Sequence, residues 1–398
     1  MYRGYRLTLF LLCTAFVAVG LVVASIGPAL PALARQTDRT LAQLGTLFIA
    51  LFGGGLLAQS LSGPISDRFG RRVVLVVASA MFGSAALAMS FSTRLSIVLL
   101  FATLLGIGYG GVSLSVNVLS SELTPHRRAS TLNLVNVFFG AGAIAGPLFA
   151  GLALEWWGTP LPALQTGAAL ALLIAPAAAL VDLPVSPRLS TATPTTQESQ
   201  DTRERTTEPG VSSAFVWSAA VLIAIYAGSE SSVGSWMPIY LRRTTTLNDV
   251  QAATITSVFW ASLCAGRVLA VIVGLRMAAD RLLMASFVAS AVGAGVLFAG
   301  HGVVWLTALG LLVLGLAFGP IYPTIMAVVT AAYPRTAGAA ASRLGALASI
   351  GGMILPSAHG LLLTRVGTWS SVAVTFAAAL TMLLGWMATQ ARRTAGRH

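Results

Sequence analysis

One acidic side chain in this sequence is hard to explain as packing. Glu230 lies in an apolar run from about Phe215 to Tyr240, inside the stretch Tyr226-Ala-Gly-Ser-Glu-Ser-Ser-Val-Gly-Ser-Trp-Met-Pro-Ile-Tyr240. At about 1.5 Å per helical residue, that run is long enough to cross a hydrocarbon core of roughly 30 Å. Glu230 is about fifteen residues from one end and ten from the other. A carboxylate at that depth costs several kcal/mol unless it is protonated, paired or facing a wet cavity. Its chemistry is therefore that of a coupling-ion or substrate site. Tyr226, Glu230 and Gly234 recur every fourth residue and share a helix face. Pro238 cannot donate to the carbonyl of Gly234, so a bend is expected there, facing protein or a water-filled path.

Other polar residues in apolar runs extend the candidate site. Asn117, Asn133 and Asn136 carry amides that give two donors and an acceptor each, which suits solute hydroxyls. An interhelical hydrogen bond is the competing role for each. Tyr226, Trp236, Tyr240, Trp260 and Tyr322 offer rings that stack on the apolar face of a sugar. For Trp236 and Tyr240, near the end of their run, interfacial anchoring is the favoured role. His359 is a candidate proton relay and Gln59 a candidate contact, with a satisfied structural histidine and plain packing as their favoured roles.

These residues need elements that hold them in a membrane. The chain has 398 residues, 56% of them hydrophobic and 9% charged, which is too little polar surface for a soluble protein of this length. The net charge of +12 comes from 24 basic residues, all arginine. They lie in short connections between apolar runs, which fits a positive-inside topology better than nucleic-acid binding. Cys13 and Cys264 fall inside apolar runs and read as small buried residues. The first apolar run, about Leu7 to Leu30, is too long for a cleavable signal peptide.

Twelve spans are expected, near 7–30, 41–62, 73–91, 95–121, 129–154, 161–181, 213–240, 248–273, 282–300, 303–331, 339–363 and 369–390. Alternating sides from a cytoplasmic N-terminus puts most arginines inside, Arg68, Arg71, Arg72, Arg276 and Arg281 among them. Outside fall only Arg35, Arg39, Arg94, Arg242, Arg243 and Arg365, of which the Arg242–Arg243 pair goes against the bias. Residues 182–212 are rich in Thr, Ser, Pro, Gln and Glu, and read as a mobile cytoplasmic linker between bundles at 1–181 and 213–398. At an offset of 209 the two halves share Gly106/Gly315, Gly110/Gly319, Pro125/Pro334, Gly142/Gly351, Pro147/Pro356, Gly151/Gly360 and Gly158/Gly367. Both halves start on the same side, so they are parallel repeats about an axis normal to the membrane, with a site at their interface.

The loop between spans 2 and 3 reads Gly63-Pro-Ile-Ser-Asp67-Arg68-Phe-Gly70-Arg71-Arg72. It resembles the cytoplasmic loop signature of the major facilitator superfamily. The resemblance implies an all-α fold of two six-helix bundles, with Gly63, Asp67, Arg68, Gly70, Arg71 and Arg72 as a gating loop whose charges hold the cytoplasmic side closed. The second-half counterpart, Gly266-Arg267 through Arg276 and Asp280-Arg281, reads as a degraded copy. A narrower string of Gly, Asn and aromatic positions is similar to the fucose permease-like branch and its sodium–glucose relatives: Gly106-Ile-Gly-Tyr-Gly-Gly, Asn117, Asn133, Asn136, Trp260 and Pro320-Ile-Tyr-Pro323. That branch moves hexoses with a proton or sodium ion. The sequence departs from it in having no acid in span 1 and Asn117 in the middle of span 4, with Glu122 only at the end of that span. Glu230 is the remaining acid at depth.

The expectation is a secondary transporter of sugars or similar small polar solutes, coupled to protons or sodium, working by alternating access. A drug or metabolite efflux antiporter is the alternative, and a non-transporting sensor or membrane enzyme a third. No nucleotide loop, Cys/His metal spacing or Ser/His/Asp arrangement stands out, so no enzyme activity, cofactor or nucleic-acid partner is expected. A monomer in a bacterial cytoplasmic membrane, with both termini inside, completes the reading.

Overall fold

The computed structural model describes residues 5–123, 128–181, 213–332 and 337–395. They form thirteen helices, twelve of them long and apolar enough to cross a membrane. The first half holds α1 (Tyr5–Thr37), a single turn α2 (Leu41–Leu44), α3 (Thr46–Phe69), α4 (Arg71–Ser90), α5 (Leu95–Leu123), α6 (Arg128–Trp157) and α7 (Leu161–Leu180). The second holds α8 (Ser213–Thr244), α9 (Asp249–Gly274), α10 (Ala279–Ala299), α11 (Val304–Ala332), α12 (Ala337–Arg365) and α13 (Thr368–Ala395). The expected linker, the Pro125/Pro334 pair, and the side chains of Asp67, Glu122 and Asn133 lie outside the described residues.

Several helices run past the expected spans. α1 continues seven residues beyond position 30, through Pro28 and Pro31. Proline ends a soluble helix more readily than one packed among other helices, where neighbours satisfy the freed carbonyls. α8 likewise continues through Pro238 to Thr244.

Backbone approach at glycine builds both halves in the same way. A side chain at Gly142 would run into the backbone of Val17 and Leu21 on α1, and one at Gly351 into Ala224 on α8. Gly106 sits against Leu51 and Gly55 on α3, and Gly315 against Phe259 and Leu263 on α9. The extensive helix pairs follow the repeat: α1 with α6 and α3 with α5, then α8 with α12 and α9 with α11. Two capping boxes repeat as well. Thr40 and Gln43 cap α2, while Asn248 and Gln251 cap α9, each satisfying amides that a helix start leaves bare.

Buried apolar side chains gather into two clusters. One is centred on α1, α3, α4, α5 and α7, the other on α8 to α13. The halves meet through α6 on α9, α3 on α12 and α1 on α8. Glycines make close contacts at three points of this seam, Gly27 on Ser235, Gly140 on Cys264 and Gly151 on Val250, while bulkier contacts cross it at Phe52 on Gly352 and Phe48 on Trp236.

At the arginine-rich end, Gly70 alone separates α3 from α4. It holds φ +84°, a backbone region that side chains carrying a Cβ rarely adopt. The Arg72 guanidinium donates to the carbonyl of Val181 at 2.9 Å, tying the start of α4 to the end of α7. Arg68 lies over the ring of Phe69.

Candidate substrate and coupling site

The face carrying Tyr226 and Glu230 on α8 turns toward α9 and α11. Glu230 Oε1 stands 3.7 Å from Nη2 of Arg267 on α9. Both side chains keep some accessible surface, 17% for Glu230 and 24% for Arg267. The distance is within ion-pair range but too long for a hydrogen bond. The two charges compensate each other, while neither is locked to its partner.

The local packing explains the placement. Gly319 of α11 sits on the backbone of Gly266 and Arg267, and Gly266 sits on Leu316, so α9 and α11 touch where Arg267 leaves its helix. Gly234, one turn beyond Glu230, makes room for the Trp260 ring. A continuous aromatic wall flanks the pair. Trp260 meets Phe259 at 5.5 Å, Phe259 meets Phe318 at 6.2 Å, Phe318 meets Tyr226 at 5.3 Å, and Tyr226 meets Tyr322 at 6.4 Å. Tyr109 of α5, from the other half, comes near enough to feel Glu230, Arg267 and Tyr322 electrostatically. The Tyr226 hydroxyl lies within hydrogen-bonding reach of both charged groups, and Trp260 Nε1 has no hydrogen-bond partner among the described residues. A buried donor normally finds a partner, so the Trp260 Nε1 group is the unsatisfied one beside the pair.

The structure therefore brings together Tyr226, Glu230, Trp260 and Tyr322 of the residues picked from sequence. Arg267 and Tyr109 were not picked. Gly266-Arg267 reads as part of a degraded loop copy although the expected span at 248–273 already contains it, and α9 carries it seven residues inside its end. The usable signal was charge balance, since a lone carboxylate at depth calls for a cation on a neighbouring helix. Tyr109 stood in the glycine string of span 4 with nothing to mark it.

Other candidates fall elsewhere. Trp236 is buried, which corrects the expected interfacial anchor: its Nε1 donates to the carbonyl of Pro356 at 2.8 Å, and its ring stacks on His359. Because α8 continues to Thr244, position 236 is an interior one, as is buried Tyr240. His359 is buried, with Nε2 against the hydroxyl of Ser371 at 2.5 Å, in a structural role outside the Glu230 cluster. Gln59 donates to Ser349 Oγ at 2.9 Å, linking α3 to α12 across the seam. Asn136 donates to the carbonyl of Leu132 in its own helix, and Asn117 is exposed on α5. Trp236→Phe should therefore destabilise the protein by about 1–3 kcal/mol through the lost hydrogen bond to Pro356 and lost packing. It should leave substrate affinity within about twofold, which a melting curve and a binding titration on one preparation would check.

The profile of the Major Facilitator Superfamily matches residues 12–270 and 219–397. The chain belongs to this superfamily. It is thus a multi-pass transport protein for small solutes rather than an enzyme. Among curated relatives, the 4-hydroxybenzoate transporter PcaK of Acinetobacter baylyi is 36% identical over 129 residues, covering 32% of this chain and 28% of that transporter. The arabinose-proton symporter of Bacillus subtilis is 32% identical over 124 residues, 31% of this chain and 26% of that symporter. The matched segment thus spans less than a third of the length of each of these two relatives. Among solved structures, the nucleoside transporter NupG superposes with a TM-score of 0.77 at 13% identity, over 95% of this chain and 98% of that one. At that identity the likeness is one of fold.

Proposed function

We propose that this superfamily member is a proton-coupled symporter of a small organic anion, with a single carboxylate on a flat apolar body. The observation that carries the reading is the Glu230–Arg267 pair at 3.7 Å beside an aromatic wall. Arg267 offers a guanidinium to a substrate carboxylate, and Tyr322, the half-buried ring at the edge of that wall, offers a face to its body. Protonation of Glu230 releases Arg267 to take the incoming anion; deprotonation restores the internal pair and favours substrate release. Binding of proton and anion are thereby linked. A guanidinium beside the carboxylate repels sodium as it does any cation, so the proton is the coupling ion in this reading. The relatives that transport 4-hydroxybenzoate agree with this substrate class.

A second reading keeps the expected sugar. The rings of Tyr226, Tyr322 and Trp260 suit a pyranose, and one relative is an arabinose-proton symporter. In either reading the arginine-rich end faces the cytoplasm of a bacterial cell, the protein sits in its cytoplasmic membrane, and the halves rock about the site. The gating-loop relay through Asp67, Arg68 and Arg71 belongs to the same proposal. The deciding experiment is uptake into proteoliposomes under an imposed pH gradient, with aromatic and short aliphatic monocarboxylates beside hexoses and pentoses. Accumulation of a monocarboxylate, and not of its neutral amide, is expected; accumulation of sugars alone would reject the anion.

A further inference from the structure

A second cationic site lies on the far side of the seam. Along α8 the order is Glu230, then Ser235 in contact with Gly27 of α1, then Pro238, Arg242 and Arg243. Between the last group and α1 opens a cavity of about 200 Å³, bounded by Pro28, Arg35, Pro238, Arg242, Arg243 and Asp249. Twelve residues of helix put Arg242 about 18 Å beyond Glu230. The backbone contact of Gly27 with Ser235 stands between the two sites.

The charges do not cancel. Arg242 is held by Asp249, Nε to Oδ1 at 2.7 Å, and also donates to the carbonyl of Leu247. Asp249 is the one carboxylate among three arginines lining the cavity. Arg243 donates to a carbonyl, that of Leu363, at 3.3 Å, and has no carboxylate partner among the described residues. Arg35 ends α1 exposed, with no side-chain partner among the described residues. These arginines sit at the end of the bundle where basic residues are scarce, so retention of the chain in the membrane gives no reason for them. The prolines at 28 and 238 give rigid apolar walls. The volume is below that of pockets for drug-sized ligands, about 300–1,000 Å³, and fits an anion of one ring or a few carbons.

We propose that this cavity is a vestibule site for a small carboxylate anion, held by Arg35 and Arg243, from which the anion passes to Arg267 when the Gly27–Ser235 contact parts. Its identity as an entry site rests on the organic-anion reading above; its affinity for anions does not. The test is equilibrium binding of radiolabelled benzoate to the purified full chain. Wild type is expected to bind two equivalents. Arg267→Gln should keep one, Arg35→Gln/Arg243→Gln should keep one, and the triple variant none. In transport, Arg35→Gln/Arg243→Gln should raise KM about tenfold with kcat within about twofold. Should Arg243→Gln disturb folding through Leu363, Arg35→Glu alone reads the same charge and should also remove the vestibule equivalent. If the anion reading of the central site fails, wild type and Arg267→Gln each bind one equivalent, still lost on Arg35→Gln/Arg243→Gln, and the vestibule stands. Unchanged stoichiometry in both Arg35→Gln/Arg243→Gln and Arg35→Glu, or equal binding of neutral benzamide, overturns it.

Discussion

Glu230→Gln is expected to abolish accumulation driven by a proton gradient while leaving exchange of substrate across the membrane intact. Glutamine has nearly the shape of a protonated glutamate and no charge to titrate. It therefore fixes the site in the state that has taken up its proton. Arg267, 3.7 Å away, loses its internal counter-ion and is free for substrate. Apparent affinity for the anion should stay within about threefold of wild type or improve, because nothing competes for the guanidinium. The ratio of internal to external substrate at steady state should fall to unity under an imposed gradient, and counterflow should continue. The measurement is paired uptake and counterflow in proteoliposomes. Persistent accumulation in Glu230→Gln would remove this carboxylate from the coupling role.

Arg267→Gln should cost both binding and stability. A charge-assisted hydrogen bond is worth about 1.5–3 kcal/mol, so the anion dissociation constant should rise roughly 10- to 100-fold. The folded state loses as well, because Glu230 is left without a cation at membrane depth. Breaking a fully buried pair costs about 3–5 kcal/mol; with both side chains partly exposed, about 1–3 kcal/mol is expected. The double variant Glu230→Gln/Arg267→Gln separates the two effects. It has no stranded charge, so its melting temperature should recover most of the loss, while anion binding stays weak. A single variant as stable as the double one would show that the two charges are not coupled in the folded protein.

How much of this was legible in the residues differs between levels. The twelve spans were readable because a bilayer imposes one length and one solvent on every crossing segment. The paired halves were readable because packing between backbones restricts positions such as Gly142 and Gly351 to glycine, whatever surrounds them. Glu230 announced itself by its cost. Its partner did not. Arg267 falls within the expected span but reads with the loop arginines, and its pairing is a contact between α8 and α9 that no spacing within one helix encodes. Trp236 was misplaced for a related reason. Distance from the end of an apolar run measures depth only if the helix stops there, and α8 goes on for four residues past Tyr240. Asn136 took a bond within its own helix, an outcome open to any amide in a span.

The seam has a mechanical consequence. Where Gly27 rests on Ser235, Gly140 on Cys264 and Gly151 on Val250, the surfaces are nearly smooth. No bulky knob has to be drawn from its socket when they come apart at these three points, and each uncovers little oily area. These points of the joint part at low cost, and a single large substituent there, such as Gly27→Leu, would force the α1 and α8 backbones apart.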